Sequence, residues 1–305
     1  MTILTGLGGA APVHVDLPRE NRSRAYRWLL SPGLLYLGVM FIVPVGALLA
    51  MSLYVPVPGG ELGDFQPALH WQNYADALSQ FWPQMVRSFW FAAIATVACL
   101  LIGYPIAYTI AVRARGRALL QNLLLVLVVA PFFTSFILRT IAWRQILADE
   151  SFVVQAMLWL GVLPEGGRLT ATPFAVVCGL AYNFLPFMVL PIYASLGRLD
   201  PRLLEAGADL YASPTTCFRR VTLPLSMPGV VGGTLLVFIP AAGDYVNASL
   251  LGNNTNTAMI GQVIDARFFK VLDYPTAAAL SVVLMAAILL IVAAYVRRAG
   301  TEDLL

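Results

Sequence analysis

Among the 16 acidic residues of this 305-residue chain, Asp244 stands apart, because it follows Pro240 and Gly243 inside an otherwise apolar run. An acid at membrane depth is costly and marks a functional position by default. It can offer an electrostatic step to a cationic solute. It can equally be structural, pairing with an arginine such as Arg139 or capping backbone broken near Pro240. Aspartyl catalysis needs two acids sharing a site, and no second acid lies in an apolar run. Arg139 and Arg144, just beyond a third apolar run, suit a gate ion pair or an interface anchor. Tyr182, Phe184 and Phe187 flank Pro186, and Tyr245 adjoins Asp244. Such rings either pack or line a passage for alkylammonium groups by cation–π contact.

The remaining reactive groups point to no enzyme. His14 and His70 are isolated in polar segments, and Cys99, Cys178 and Cys217 have no zinc spacing, so free thiols and no metal are expected. No Gly-x-x-x-x-Gly-Lys-Ser/Thr stretch is present to cradle nucleotide phosphates. The chain is therefore expected to carry no cofactor. Any ATP-driven step must use a hydrolase on another chain.

The frame that positions these residues is a bilayer. Hydrophobic residues make up 59% and charged residues 11%, against about a quarter charged in soluble domains. Runs near 29–54, 86–112, 119–137, 172–196, 225–250 and 275–296 are long enough to cross a hydrocarbon core, which takes about 20 residues. Prolines at 44, 105, 131, 186, 191, 228 and 240 predict kinks or broken turns that a bundle tolerates. The apolar segment 152–163 is too short to span and reads as an interfacial helix capped by Ser151. The expected organisation is all-α: a flexible tail 1–27, a six-helix membrane domain 28–298 with a loop 197–224, and a short tail 299–305.

Arginine placement orients the chain. With the N-terminus inside, one face holds Arg19, Arg22, Arg24, Arg27, Arg113, Arg115, Arg117, Arg198, Arg202, Arg219, Arg220, Arg297 and Arg298. The other holds Arg87, Arg139, Arg144, Arg168, Arg267 and Lys270. The positive-inside rule puts both termini and loop 197–224 in the cytoplasm. The outer segments 55–82, 147–171 and 251–273 are long enough to form a docking rim.

That cytoplasmic loop has its own grammar. Asp200 before Pro201, and Ser213 before Pro214, predict two short helices with capped starts. Leu203, Gly207 and Leu210, with Leu204 and Tyr211 beside them, would form an apolar stripe on the first. The second would carry Phe218 and Val221, end in Arg219 and Arg220, and stop at Leu223-Pro224.

Glu205-Ala206-Gly207, Asp209-Leu210, Ala212-Ser213 and Val221-Thr222-Leu223-Pro224 resemble the Glu-Ala-Ala signature of permease subunits of ATP-binding-cassette importers. The resemblance extends through Gly103-Tyr104-Pro105, Ala130-Pro131-Phe132, Leu185-Pro186-Phe187, Gly243-Asp244-Tyr245 and Tyr274-Pro275 to the polyamine-type (spermidine and putrescine) branch, which also holds permeases for other small polar solutes. It implies a bacterial cytoplasmic-membrane importer that works by alternating access. Residues 200–213, with Arg219 and Arg220, would couple to the ATPase. It also implies partners: a second related permease chain, two copies of an ATPase subunit and an extracytoplasmic solute-binding protein, with no nucleic acid. A scaffold or an intramembrane enzyme using Asp244 fits six proline-broken spans poorly.

Three positions depart from the family pattern: Gly207 where Ala is usual, Tyr211 where Gly is usual, and Asn253-Asn254 where Gly is common, which implies a stiffer outer loop. Tyr at a left-handed turn costs about 1 kcal/mol or more. Tyr211 is therefore expected to stay right-handed, extend the first helix and pack its ring with the apolar stripe.

Overall fold

The computed structural model describes residues 22–164, 166–252 and 255–299, in two units, 1–47 and 48–305. Helix α1 (Arg22–Met51) makes up the described part of the first unit and leads into the second. It begins earlier than the sequence suggests, so residues 22–27 of the expected tail are helical. No Gly or Pro interrupts the stretch Arg22-Ser23-Arg24-Ala25-Tyr26-Arg27 there. The rest of that tail, 1–21, and the end of the chain, 300–305, lie outside the described residues.

In the second unit a small antiparallel pair comes first, β1 (Val55–Pro56) with β2 (Phe65–Gln66), Val55 facing Gln66. Helix α2 (Gln72–Tyr108) follows and continues through a π-turn, Thr109–Arg113. The second span was expected to begin near residue 86. Instead the rod covers 42 residues, Gln72–Arg113, which at 1.5 Å per residue is roughly twice the ~30 Å hydrocarbon core. Its early turns are held by packing: Ala77, Phe81 and Met85 cluster with Ile260, Ala279, Leu280 and Leu284. Asn73 also donates to the carbonyls of Ser52 and Tyr54, both at 2.9 Å.

The third span is not one helix. Helix α3 (Ala118–Val129) tightens into a 3-10 turn, Ala130–Phe133, and α4 (Phe136–Ile146) departs at 96°. Pro131 has no N–H to continue the α3 ladder, and Thr134 closes the turn by donating its N–H (3.1 Å) and its hydroxyl (2.8 Å) to the Pro131 carbonyl. Thr134 itself is extended, at φ −107° and ψ 151°. Helix α5 (Phe152–Trp159) is the expected short element, with Ser151 Oγ accepting from Val154 N at 3.2 Å.

Helix α6 (Pro173–Gly197) leads to two short helices, α7 (Pro201–Asp209) and α8 (Pro214–Cys217). A second π-turn, Phe218–Thr222, joins α8 to α9 (Leu223–Ala242). The fifth span thus ends at Ala242 rather than near residue 250. Gly243 and Asp244 break it, and a third π-turn, Ala248–Gly252, follows. Helix α10 (Ile260–Asp265), a fourth π-turn (Ala266–Lys270) and α11 (Tyr274–Ala299) complete the chain. Among the described residues five helices are long and apolar enough to cross a membrane, and six if the bent α3–α4 pair counts as one span. The pair Asn253-Asn254 lies outside the described residues.

Helices α2, α6 and α9 form the core. Water does not drive helices together inside lipid, so close packing must, and small residues permit it. Gly229 and Gly233 supply it on α9. A Cβ at Gly229 would sit 2.6 Å from the Pro191 carbonyl oxygen, and one at Gly233 would sit 2.9 Å from Met188 Sδ. Gly103 on α2 leaves room for the same Met188, 3.2 Å from where its Cβ would be.

Candidate functional site

The loop after α6 begins with a held turn. Arg115, in the turn between α2 and α3, donates to the carbonyl oxygens of Leu199 (3.0 Å), Gly197 (3.2 Å) and Leu196 (3.4 Å). These carbonyls lie at the C-terminal end of α6, where a cation suits the dipole, and that of Leu196 also accepts from Leu199 N at 3.2 Å. Asp200 Oδ1 then accepts from Arg202 N at 3.0 Å and starts α7. Glu205, Ala206 and Asp209 are exposed on this helix. Gly207 faces α8, where an added Cβ would approach Cys217 Sγ at 3.1 Å. The missing methyl at residue 207 thus makes room for a thiol.

Tyr211 overturns the sequence expectation. Its φ is +56°, and it is 99% exposed. It does not extend α7. Leu210 N bonds Ala206 O at 3.2 Å, and Ala212 N reaches back to Gly207 O at 3.1 Å. Such a six-to-one closure requires the residue before Ala212 to be left-handed. Satisfying that carbonyl and turning the chain toward Ser213 outweigh the local strain of about 1 kcal/mol. Leu203 and Leu210 of the apolar stripe are likewise exposed, at 46% and 80%.

Ser213 Oγ accepts from Thr216 N at 3.3 Å and starts α8 as expected. The stop at Leu223-Pro224 does not occur. Leu223 N bonds Phe218 O across the π-turn, and Pro224 falls in the first turn of α9, where a missing N–H costs least. Arg219 and Arg220 therefore lie exposed within a continuous rod, Pro214–Ala242, not at a helix end. Phe218 meets Tyr104 edge-on at 5.6 Å and Tyr108 at 5.9 Å between centroids, and Tyr104 Oη lies 2.8 Å from Ser226 Oγ.

A second constellation surrounds Asp244, which is only 8% exposed. Its Oδ1 accepts from Asn247 N (2.7 Å) and its Oδ2 from Asn247 Nδ2 (3.2 Å). Asn183 Nδ2 donates to Asn247 Oδ1 and to Thr140 Oγ1, both at 3.1 Å. Thr140 Oγ1 in turn lies 3.3 Å from Asn247 Oδ1. Amides inside apolar runs were the signal available in the sequence, and reading for charge alone passed over Asn183 and Asn247.

The expected arginine pairing is not found. Among the described residues the ion pairs are Arg168–Asp149 at 3.2 Å and Arg267–Asp273 at 3.3 Å. Arg139 and Arg144 join neither. Asp149 is taken by Arg168, and both Asp244 oxygens are taken by Asn247. The Arg139 guanidinium lies over Phe136 (5.7 Å) and Phe132 (5.9 Å), with Nε and Nη1 buried and bonded to nothing. Those rings touch Phe184 (6.0 Å) and Phe187 (4.9 Å). Phe184 is core, whereas Tyr182, Phe187 and Tyr245 reach the surface of this chain. Tyr182 also borders an apolar groove of about 500 Å³ between α2, α3 and α6.

Comparison with known proteins gives this geometry a family. Residues 100–299 match the family described as "Binding-protein-dependent transport system inner membrane component". The chain is 40% identical over 213 residues to the spermidine/putrescine transport system permease protein PotB of Salmonella typhimurium, covering 70% of this chain and 73% of that one. It is 33% identical over 270 residues to the PotB of Haemophilus influenzae, covering 88% and 92%. Among solved structures, a bacterial ABC transporter involved in import of the acidic polysaccharide alginate superposes with a TM-score of 0.70 at 15% identity, covering 92% of this chain and 98% of that chain. The MetNI methionine ABC transporter superposes at 0.55 and 18% identity, covering 71% and 93%. The structural likenesses show the fold, and the sequence matches show the membership: this chain belongs to the binding-protein-dependent inner membrane components, as a permease subunit of an ATP-binding-cassette importer whose ATPase is a separate subunit.

Proposed function

We propose that this permease forms half of an import pathway for a polyamine in a bacterial cytoplasmic membrane, and that residues 200–213 of its loop receive the stroke of the ATPase. The observation that supports the coupling role is the loop's exposure: Glu205, Leu210 and Tyr211 all face outward from the bundle. An amphipathic helix with one outward face suits a groove on a partner protein. The cargo reading draws on the relatives described as spermidine/putrescine permeases. The other chains would be a second, related permease, two ATPase subunits and a solute-binding protein on the opposite face. ATP would close the ATPases, draw the two coupling loops together, and open the paired bundles outward beneath the binding protein.

Asp244 fits best as a cap on the break after α9, with Asn247 holding both its oxygens, rather than as a cargo contact. Exposed Tyr245 and Phe187 are better placed to face a passage. The test is the assembled importer in liposomes, with spermidine uptake and ATP turnover followed together. ATP-dependent uptake that a loaded binding protein stimulates is expected. Glu205→Arg should abolish the stimulation without lowering membrane insertion. Unchanged stimulation in that variant would reject the loop as the coupling element, and absence of spermidine uptake by the parent would reject the cargo.

A further inference from the structure

The coupling loop is attached at both ends to a helix other than the two it joins. In sequence it connects α6 to α9. In space its entering end is held by Arg115, which gathers the carbonyls of Leu196, Gly197 and Leu199. Its leaving end is held by Phe218, set edge-on between Tyr104 and Tyr108 of α2, and by the Tyr104–Ser226 hydroxyl pair about two turns further on. Tyr104, Tyr108 and Arg115 belong to one stretch of chain: the last turn of α2, its π-turn and the tight turn beyond it. The turn itself is tied down, since Ala114 N bonds Thr109 O at 2.8 Å and Ala114 is 2% exposed.

We propose that this end of α2 is a clamp that receives the displacement of the coupling loop, with Arg115, Tyr104 and Tyr108 acting as positioning residues for coupling. The proposal rests on the loop being the coupling element. Between the two grips the chain has few other attachments, so a push on α7 and α8 reaches the bundle through both grips at once. Each grip restrains a different direction. Arg115 makes three directed hydrogen bonds along the axis of α6, whereas Phe218 is wedged sideways between two rings. Helix α2 with its π-turn is also the longest rod among the described residues, reaching through the bundle to the cluster around Phe81 and Ile260 at its other end. A displacement at Arg115 would pass into this rod through the π-turn and Pro105 and so reach the far face along one continuous helix.

The test uses the complete importer in liposomes and reads spermidine imported per ATP hydrolysed. Arg115→Gln and Phe218→Leu should assemble, bind the ATPase and respond to the loaded binding protein. Each should import less per ATP, by at least about fivefold, the factor that one or two lost hydrogen bonds or ring contacts carries. Arg115→Lys should fall between parent and Arg115→Gln, because an ammonium reaches fewer of the three carbonyls. Should Arg115→Gln assemble poorly, Phe218→Leu carries the test alone. Unchanged import per ATP, or lost yield with an unchanged ratio, overturns the clamp, because a purely structural contact gives those results. The coupling reading is scored separately by Glu205→Arg. If that variant keeps full stimulation the coupling reading fails and the clamp with it, and if only the ratio in Arg115→Gln and Phe218→Leu is normal the clamp fails alone.

Discussion

The seam between α6 and α9 and the loop that joins them are built on opposite terms. At the seam, backbone meets backbone: Gly229 and Gly233 leave no space for a methyl against Pro191 and Met188. Nearly twenty residues away along the chain, Leu210 and Tyr211 are 80% and 99% exposed. One region is specified by what cannot be added, the other by what has been left uncovered. The contrast separates residues that set the frame from residues left uncovered, and substitutions should sort the same way.

The largest effect is expected at the seam. Gly229→Leu would drive a side chain into the Pro191 carbonyl and force the two helices apart, which should cost at least about 3 kcal/mol. Little monodisperse protein should be recovered from detergent, and near-parental recovery would show that the seam is softer than the distances imply. Asp244→Asn should come next, at about 1–3 kcal/mol, because one acceptor is replaced by an amide that faces the Asn247 amide. Thermal stability should fall while uptake per assembled complex stays level. A drop in uptake per complex would move Asp244 from the frame to the cargo path.

Tyr211→Gly should act in the opposite direction. It removes about 1 kcal/mol of left-handed strain and takes away no packing within this chain. The isolated permease should therefore be slightly more stable. If coupling nonetheless weakens, the ring is making its contact on the ATPase. The smallest change is Gly207→Ala, which crowds Cys217 by a few tenths of an ångström. A slight destabilisation is expected, and Cys217→Ala in the same chain should relieve it. Absence of relief would mean that α7 and α8 pack less closely than the structure has them.

What could be read from the sequence follows the same division. The apolar spans were legible because lipid imposes a length, and the loop caps Asp200 and Ser213 were legible because an oxygen before proline has one obvious use. Tyr211 was not. Its handedness is decided by a hydrogen bond between Ala212 and Gly207, which no residue type announces. Nor was the early start of α2, which depends on Phe81 and Met85 meeting residues nearly two hundred positions later. The partners of Asp244 were missed for a different reason: an amide in an apolar run carries no charge to draw attention, yet Asn247 donates to both carboxylate oxygens.

The π-turn at Phe218–Thr222 also sets an angle. A π-turn places one extra residue in a helix, and one residue of an α-helix corresponds to about 100° of rotation about the axis. Helix α8 and the fifth span therefore differ in helical phase by about that amount, while remaining one continuous rod from Pro214 to Ala242. Deleting a single residue between Phe218 and Thr222 would restore uniform winding and leave every span intact. The outward face of α8 would then point about a quarter-turn away from where it now points, so that a complete membrane domain would offer a different side of its loop to any protein that docks there.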